Sequence, residues 1–170
     1  MPEVLRGIGV SPGTVGGPAA KMAPPPALPL AAEVADPGAE AARAVDALAT
    51  VAADLERRAD AASGTRTATA AEILRAQAMM AADPVLRDAV ATGVADGQDA
   101  PHAIAGALAA HREAFLAAGG YLAERAADLD DLRDRAIAVC LGAPMPGVPD
   151  PGHPFVLIAR DLSPADTAGL

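Results

Sequence analysis

"PFVLIARDLSPADTAGL", residues Pro154 to Leu170, decides the fold. Phe155 to Ala159 is an apolar run suited to a buried strand. Ser163-Pro164 then opens a helix, and Asp166 stands where its carboxylate bonds back to the cap. A strand feeding a helix normally leads to a further strand, and the sequence stops before one. Toward the other end, "GIGVSPGTVGGPA" (Gly7 to Ala19) is strand-like too. Val4 to Val10 is a short apolar run, Ser11-Pro12-Gly13 a turn, and Thr14 to Met22 a returning strand. Two strand-bearing ends therefore flank a long alanine-rich middle. The layout predicts an α+β or α/β chain in which a helical module is inserted into an incomplete α/β module.

The middle reads as helices punctuated by turn residues. Ala23 to Leu30 carries four prolines and is an extended linker. Asp36-Pro37-Gly38 opens a helix whose apolar stripe is Ala41, Val45, Leu48, Ala52, Leu55 and Ala59. Ser63-Gly64 ends it. Thr69 and Glu72 have capping-box spacing and start a second helix through Met80. Asp83-Pro84 breaks that helix and caps a third segment, closed by Gly97. Asp99 to Pro101 starts a helix with the stripe Ile104, Leu108, His111 and Phe115, ended by Gly119-Gly120. The last helix runs from Leu122 to Cys140, with Gly142 just beyond it. This is a bundle of two helical hairpins, one interrupted at Asp83-Pro84. The domain division expected is 1–30 for the first strands and linker, 31–143 for the bundle, and 144–170 for the return to the α/β module.

Composition narrows the function classes. A chain of 170 residues buries one core or two small ones. Its hydrophobic content is 52%, but aromatics are only 2%, so single-stranded nucleic acid has no stacking platform. A net charge of −9 argues against nucleic acid generally and suits either plain solubility or a basic partner protein. The lone Cys140 excludes a disulfide framework and reads as a small buried apolar residue. No apolar run approaches the roughly 18 residues that span a bilayer, and no signal-peptide pattern opens the chain, so a cytoplasmic location without membrane insertion is expected.

Nothing in the sequence forms a complete active site. His102, His111 and His153 have no ligand-spaced companions, so no metal site is expected. No Ser-His-Asp or phosphate-loop pattern occurs. Gln77, Met79, Met80 and Asp83 cluster at the helix break. Met79 and Met80 are adjacent, so one helix face cannot bury both, and one projects toward solvent or a partner unless each finds its own core. "YLAERAADLDDLRDR" (Tyr121 to Arg135) allows two readings. It is either a solvated face with pairs such as Asp131 with Arg135, or a contact between the modules through Arg125 and Asp128.

Four stretches, "GIGVSPGTVGGPA", "AEILRAQAMMAADPVL", "YLAERAADLDDLRDRAIAVCLG" and "FVLIARDLSPADTAGL", resemble in order and spacing the N-terminal part of the enzyme I family of the bacterial phosphoenolpyruvate-dependent sugar phosphotransferase system. The resemblance implies a helical subdomain that docks the carrier protein HPr, inserted into a swivelling α/β subdomain bearing a phosphorylatable histidine. That histidine lies in a "GG-x-x-SH" stretch beyond the position matching Leu170, and none of the three histidines here matches it. Thr167 matches a threonine whose hydroxyl holds the histidine ring. Glu72, Gln77, Met79, Met80, Asp83 and Leu86 match the HPr-docking helices, and Arg125 and Asp128 the seam between subdomains. Gln77 replaces a usual histidine, Pro84 and Val85 stand where some members are acidic, and Gly119-Gly120 replaces an acidic pair. The implied activity is transfer of phosphoryl from phosphoenolpyruvate through histidine to HPr, with this segment inactive alone. Mg²⁺ and homodimerisation are expected only of the absent C-terminal part. The alternatives are a related phosphocarrier serving dihydroxyacetone kinase and a non-catalytic helical interaction module.

Overall fold

The computed structural model describes residues 11–62, 68–149, 151–159 and 162–167. Helix α1 (Pro37–Ala62) starts where Asp36 Oδ1 accepts the Ala39 N–H at 3.1 Å, with proline in the first helical position. Its buried side is Ala44, Leu48, Val51, Leu55 and Ala59, with Ala47 and Ala62. The stripe is rotated from the one expected: Val45 and Ala52 lie half-buried at its edge. The cause is that α1 is flanked on several sides, by α2 (Ala68–Ala81), α3 (Pro84–Ala95) and α6 (Ala126–Cys140).

Helix α2 begins at Ala68, so Thr69 lies inside the first turn and is not the cap that its spacing with Glu72 suggested. Asp83 does cap α3: its backbone is extended and its carboxylate accepts the Val85 N–H at 2.9 Å. Asp99 caps α4 (Ala100–Ala118), accepting the His102 N–H at 3.0 Å on one oxygen. Its other oxygen accepts the Ala32 N–H at 2.6 Å, which ties the proline-rich strap to the bundle. Gly119 and Gly120 follow with φ of 70° and 54°, a left-handed turn that only glycine enters cheaply. The helix expected from Leu122 to Cys140 is two: α5 (Gly120–Glu124) and α6, separated at Arg125. The Arg125 N–H closes a tight turn onto Leu122 O at 3.0 Å, and its side chain is committed sideways to Tyr121 and Asp128.

Leu48, Leu55, Leu74, Leu86, Ile104, Leu108 and Leu132 centre one core shared by α1, α2, α3, α4 and α6. Beside it lies a two-stranded parallel sheet. Strand β1 (Ala19–Lys21) pairs with β2 (Val156–Ile158), Ala19 opposite Val156 and Lys21 opposite Ile158. Val156 N–H reaches Pro18 O at 2.8 Å, and Met22 N–H reaches Ile158 O at 3.0 Å. So the end of the expected Thr14 to Met22 strand does lie beside the Phe155 strand, while Val4 to Val10 falls outside the described residues. β2 is not the buried strand its composition suggested. Val156 and Leu157 are half-buried and Ile158 is 51% exposed, because among the described residues β1 is its one ladder neighbour and no helix of the bundle core covers it. A short helix α7 (Pro164–Thr167) follows, with the reciprocal cap expected: Ser163 N–H donates to Asp166 Oδ2 at 3.1 Å and Asp166 N–H to Ser163 Oγ at 3.2 Å.

Candidate functional site

The break between α2 and α3 places a groove on the bundle surface. Met79 is 65% exposed, whereas its neighbour Met80 is half-buried against the core, so the two thioethers divide as adjacency on a helix requires. With Ala76 and Asp83 they face Phe115 from the end of α4 and Tyr121 and Leu122 from α5 across a groove of about 340 Å³. Tyr121 is 67% exposed, and Val85, Leu116 and Leu122 add further exposed apolar surface nearby. An apolar strip of this kind on a helix pair has the chemistry to receive another protein's apolar side chains.

A chain of polar contacts holds the groove's far wall. Arg125 lies over the Tyr121 ring, 5.3 Å from its centre, and donates through Nη2 to the Tyr121 hydroxyl at 2.8 Å. Its Nη1 donates to Asp128 Oδ2 at 2.7 Å, and Gln77 Nε2 donates to Asp128 Oδ1 at 2.9 Å. The Asp128 carboxylate raises the Arg125 pKa further, against the opposing effect of burial, with Tyr121 helping. Asp128 and Gln77 are buried, so the chain runs from the interior of α2 out to the exposed phenol.

The residues singled out by resemblance to the docking helices separate on this surface. Met79, Met80 and Asp83 line the groove. Glu72 is exposed two turns earlier on α2 and does not line it. Gln77 and Leu86 are fully buried and cannot meet a partner directly. The Asp83 cap sets the phase of α3 so that Leu86, Val90 and Val94 point into the core, which leaves Val85 outside in place of Leu86. Asp128 on α6 meets Gln77 on α2, and Arg125 stands at the α5–α6 junction. Arg135 bridges from the bundle to α7: its Nη2 donates to Asp166 Oδ1 at 3.2 Å and its Nε to Asp131 Oδ2 at 2.8 Å, and Asp131 in turn bonds the Ser163 side chain. The Asp131–Arg135 pair is thus present, but as a buried contact and not on a solvated face: Arg135 is 0% exposed. Thr167 lies exposed on α7, its hydroxyl donating to Ser163 O at 3.4 Å.

Tyr121, Leu122 and Leu116 were not singled out from the sequence. The signal for them was Gly119-Gly120, which frees a short helix to present apolar residues outward. The histidines lie apart from the groove's lining: His102 beside Asp99, His111 bonded to Ala107 O, and His153 on a loop. Burial raises the half-buried Cys140 thiol to about 11, which keeps it protonated. No helix among the described residues is long and apolar enough to cross a membrane.

Residues 6–125 match the family model described as PEP-utilising enzyme, N-terminal. The chain is 48% identical over 172 residues to the phosphoenolpyruvate-protein phosphotransferase of Streptomyces coelicolor, covering 99% of this chain and 30% of that protein. Among solved structures it resembles an enzyme I protein determined by NMR, with a TM-score of 0.70 and 30% identity over 82% of this chain and 57% of that one. It also resembles an N-terminal domain of a nitrogen enzyme 1, with a TM-score of 0.71 and 26% identity, over 91% of this chain and 64% of that one. The chain therefore spans about 30% of the length of the curated relatives it matches.

Proposed function

Because this chain belongs to the PEP-utilising enzyme N-terminal family, we propose that it is the docking part of a cytoplasmic phosphoenolpyruvate-protein phosphotransferase. The bundle seats the carrier protein HPr in the groove between α2 and α5. Phosphoryl from phosphoenolpyruvate passes through a histidine of the longer protein to the carrier. The observation that supports this best is the apolar groove of Met79, Met80, Phe115, Tyr121 and Leu122. Its size and chemistry suit the apolar side chains of a small protein partner, and Asp83 and the chain's net charge of −9 complement a basic rim.

The chemistry asks the bundle for orientation alone. Transfer between two histidine nitrogens needs close, in-line approach, and a rigid docking surface removes the entropy of finding it. The Gln77–Asp128–Arg125–Tyr121 chain serves that rigidity by fixing the phenol that forms one wall. The polypeptide of 170 residues supplies docking without the phosphoryl-accepting histidine, which belongs, like Mg²⁺ binding and dimerisation, to the remainder of the longer protein.

Titration of the ¹⁵N-labelled chain with HPr tests this. Shifts confined to Ala76 to Val85 and Phe115 to Arg125 are expected. No shifts at saturating HPr, or shifts centred elsewhere, would sink the reading. Incubation with ³²P-labelled phosphoenolpyruvate should leave the chain unlabelled.

A further inference from the structure

We infer that Arg135 is a positioning residue that sets the orientation of α7 on the helical bundle. The two share no apolar core: among the described residues, α7 contributes nothing to the cluster of side chains that fills the bundle. The joint between them is open. A cleft of about 250 Å³ separates the exit of β1 (Met22, Pro25) from α6 (Ala127, Asp134), the link after α6 (Pro146) and the approach to α7 (Leu162). Contacts between folded units that lack a shared apolar face default to relative motion, so something else must fix their register.

Arg135 has the geometry to do so. It is wholly buried, and its planar fork holds one carboxylate on its own helix and one 31 residues further along the chain. Asp166 is itself buried, and it caps α7 through both the backbone and the hydroxyl of Ser163. A shift of Arg135 is thus passed to the first turn of α7, which bears Thr167. α7 meets α2, the same helix whose far end lines the groove. Read with the function proposed above, Arg135 sets the angle at which the unit carrying Thr167 faces a docked partner.

The test compares Arg135→Met, Arg135→Lys and Asp166→Asn in the intact chain, using residual dipolar couplings and amide hydrogen exchange. In Arg135→Met the couplings of Asp166 and Thr167 should cease to fit the bundle's alignment tensor. Protection of the Asp166 and Thr167 amides should fall at least tenfold, while couplings and exchange across α1 and α4 stay unchanged. Arg135→Lys keeps the charge but loses the fork and should recover part of the protection. A purely structural role would instead lower protection in bundle and α7 together and leave the orientation of the folded state as it was. That result, or couplings that still fit one rigid body, overturns the inference. Should Arg135→Met fail to fold, Asp166→Asn leaves the bundle's own Asp131–Arg135 pair in place and is judged by the couplings alone, because Asp166 also caps α7 and its loss lowers protection there by itself: couplings that leave the bundle's tensor support the inference, and couplings that still fit it overturn it. None of these readouts needs HPr, so a chain that does not bind HPr refutes the proposed function and leaves this inference standing.

Discussion

Leu48 of α1 and Ile158 of β2 are both aliphatic residues in regular elements, yet the first is 0% exposed and the second 51%. The difference belongs to the two bodies and not to the residues. Five helices of the bundle close around one apolar core, and burial stabilises each large side chain by about 1.5–3 kcal/mol. The strand pair has one ladder, and α7 is held by a charged joint, where the desolvation of Arg135 and its carboxylates offsets much of their attraction. The lesson is that burial is graded along this chain: the groove proposed for docking sits on the part with the apolar core, and Thr167 sits on the part without one.

Leu55→Ala should produce the largest effect. Its side chain is fully buried in α1, so about 2–5 kcal/mol of unfolding free energy should disappear, read from urea denaturation. The contrast breaks if the β1–β2 pair unfolds at the same denaturant concentration as the bundle in the unmodified chain. Asp128→Ala comes next. It strands the buried Gln77 amide and frees Arg125, costing about 1–3 kcal/mol of stability. HPr affinity should also drop as the Tyr121 wall loosens. Tyr121→Ala sharpens the contrast further. It should weaken HPr binding by about 1–2 kcal/mol, roughly tenfold, by calorimetry, while stability changes by less than about 0.5 kcal/mol because the ring is mostly exposed.

The smallest effect is electrostatic, and its sign differs between the Arg135 joint and the cap of α4. At the joint, burial lifts the Asp131 carboxyl above 3.8, partly offset by Arg135, and Asp166 adds to the lift because one cation serves two carboxylates. The same sharing keeps Arg135 charged: burial opposes its charge, but the bond to Asp131 and the fields of Asp131, Asp166 and Asp54 outweigh that. Burial likewise pushes Asp99 up, but the Ala32 and His102 contacts prevail and hold it below 3.8. Asp131 therefore carries a penalty at neutral pH that is relieved as pH falls through its raised folded value toward 3.8. Asp99 contributes stability above 3.8 that is lost as pH falls through its lower folded value. Carboxyl ¹³C titration should place Asp131 above Asp99; the reverse order would refute the charge arrangement at the joint.

The helices were legible because their signals are local. Asp36, Asp83 and Asp99 followed by proline state their starts, and Gly119 and Gly142 their ends. What the sequence concealed depends on helix phase and on distant partners. Nothing local distinguishes Val85 from Leu86, although one faces solvent and the other the core. Asp131 with Arg135 has the spacing of an exposed helix pair, and only the arrival of Asp166 from beyond the bundle turns it into a buried joint. The family resemblance pointed to α2 and the start of α3 but not to the short α5 that faces them across the groove, because Gly119-Gly120 departs from the family's acidic pair.

The parallel register of β1 and β2 carries a kinetic consequence. Ala19 cannot find Val156 until the chain through Val156 has left the ribosome, and the bundle with its two linkers forms the crossover between them. Closing so long a loop through an unstructured chain is slow. Prior folding of the helices shortens the search by bringing the two strands to the same end of a compact body. The helical insertion therefore acts as a template for assembling its own host sheet, and a chain in which it folds slowly would expose β1 as an unpaired edge during synthesis.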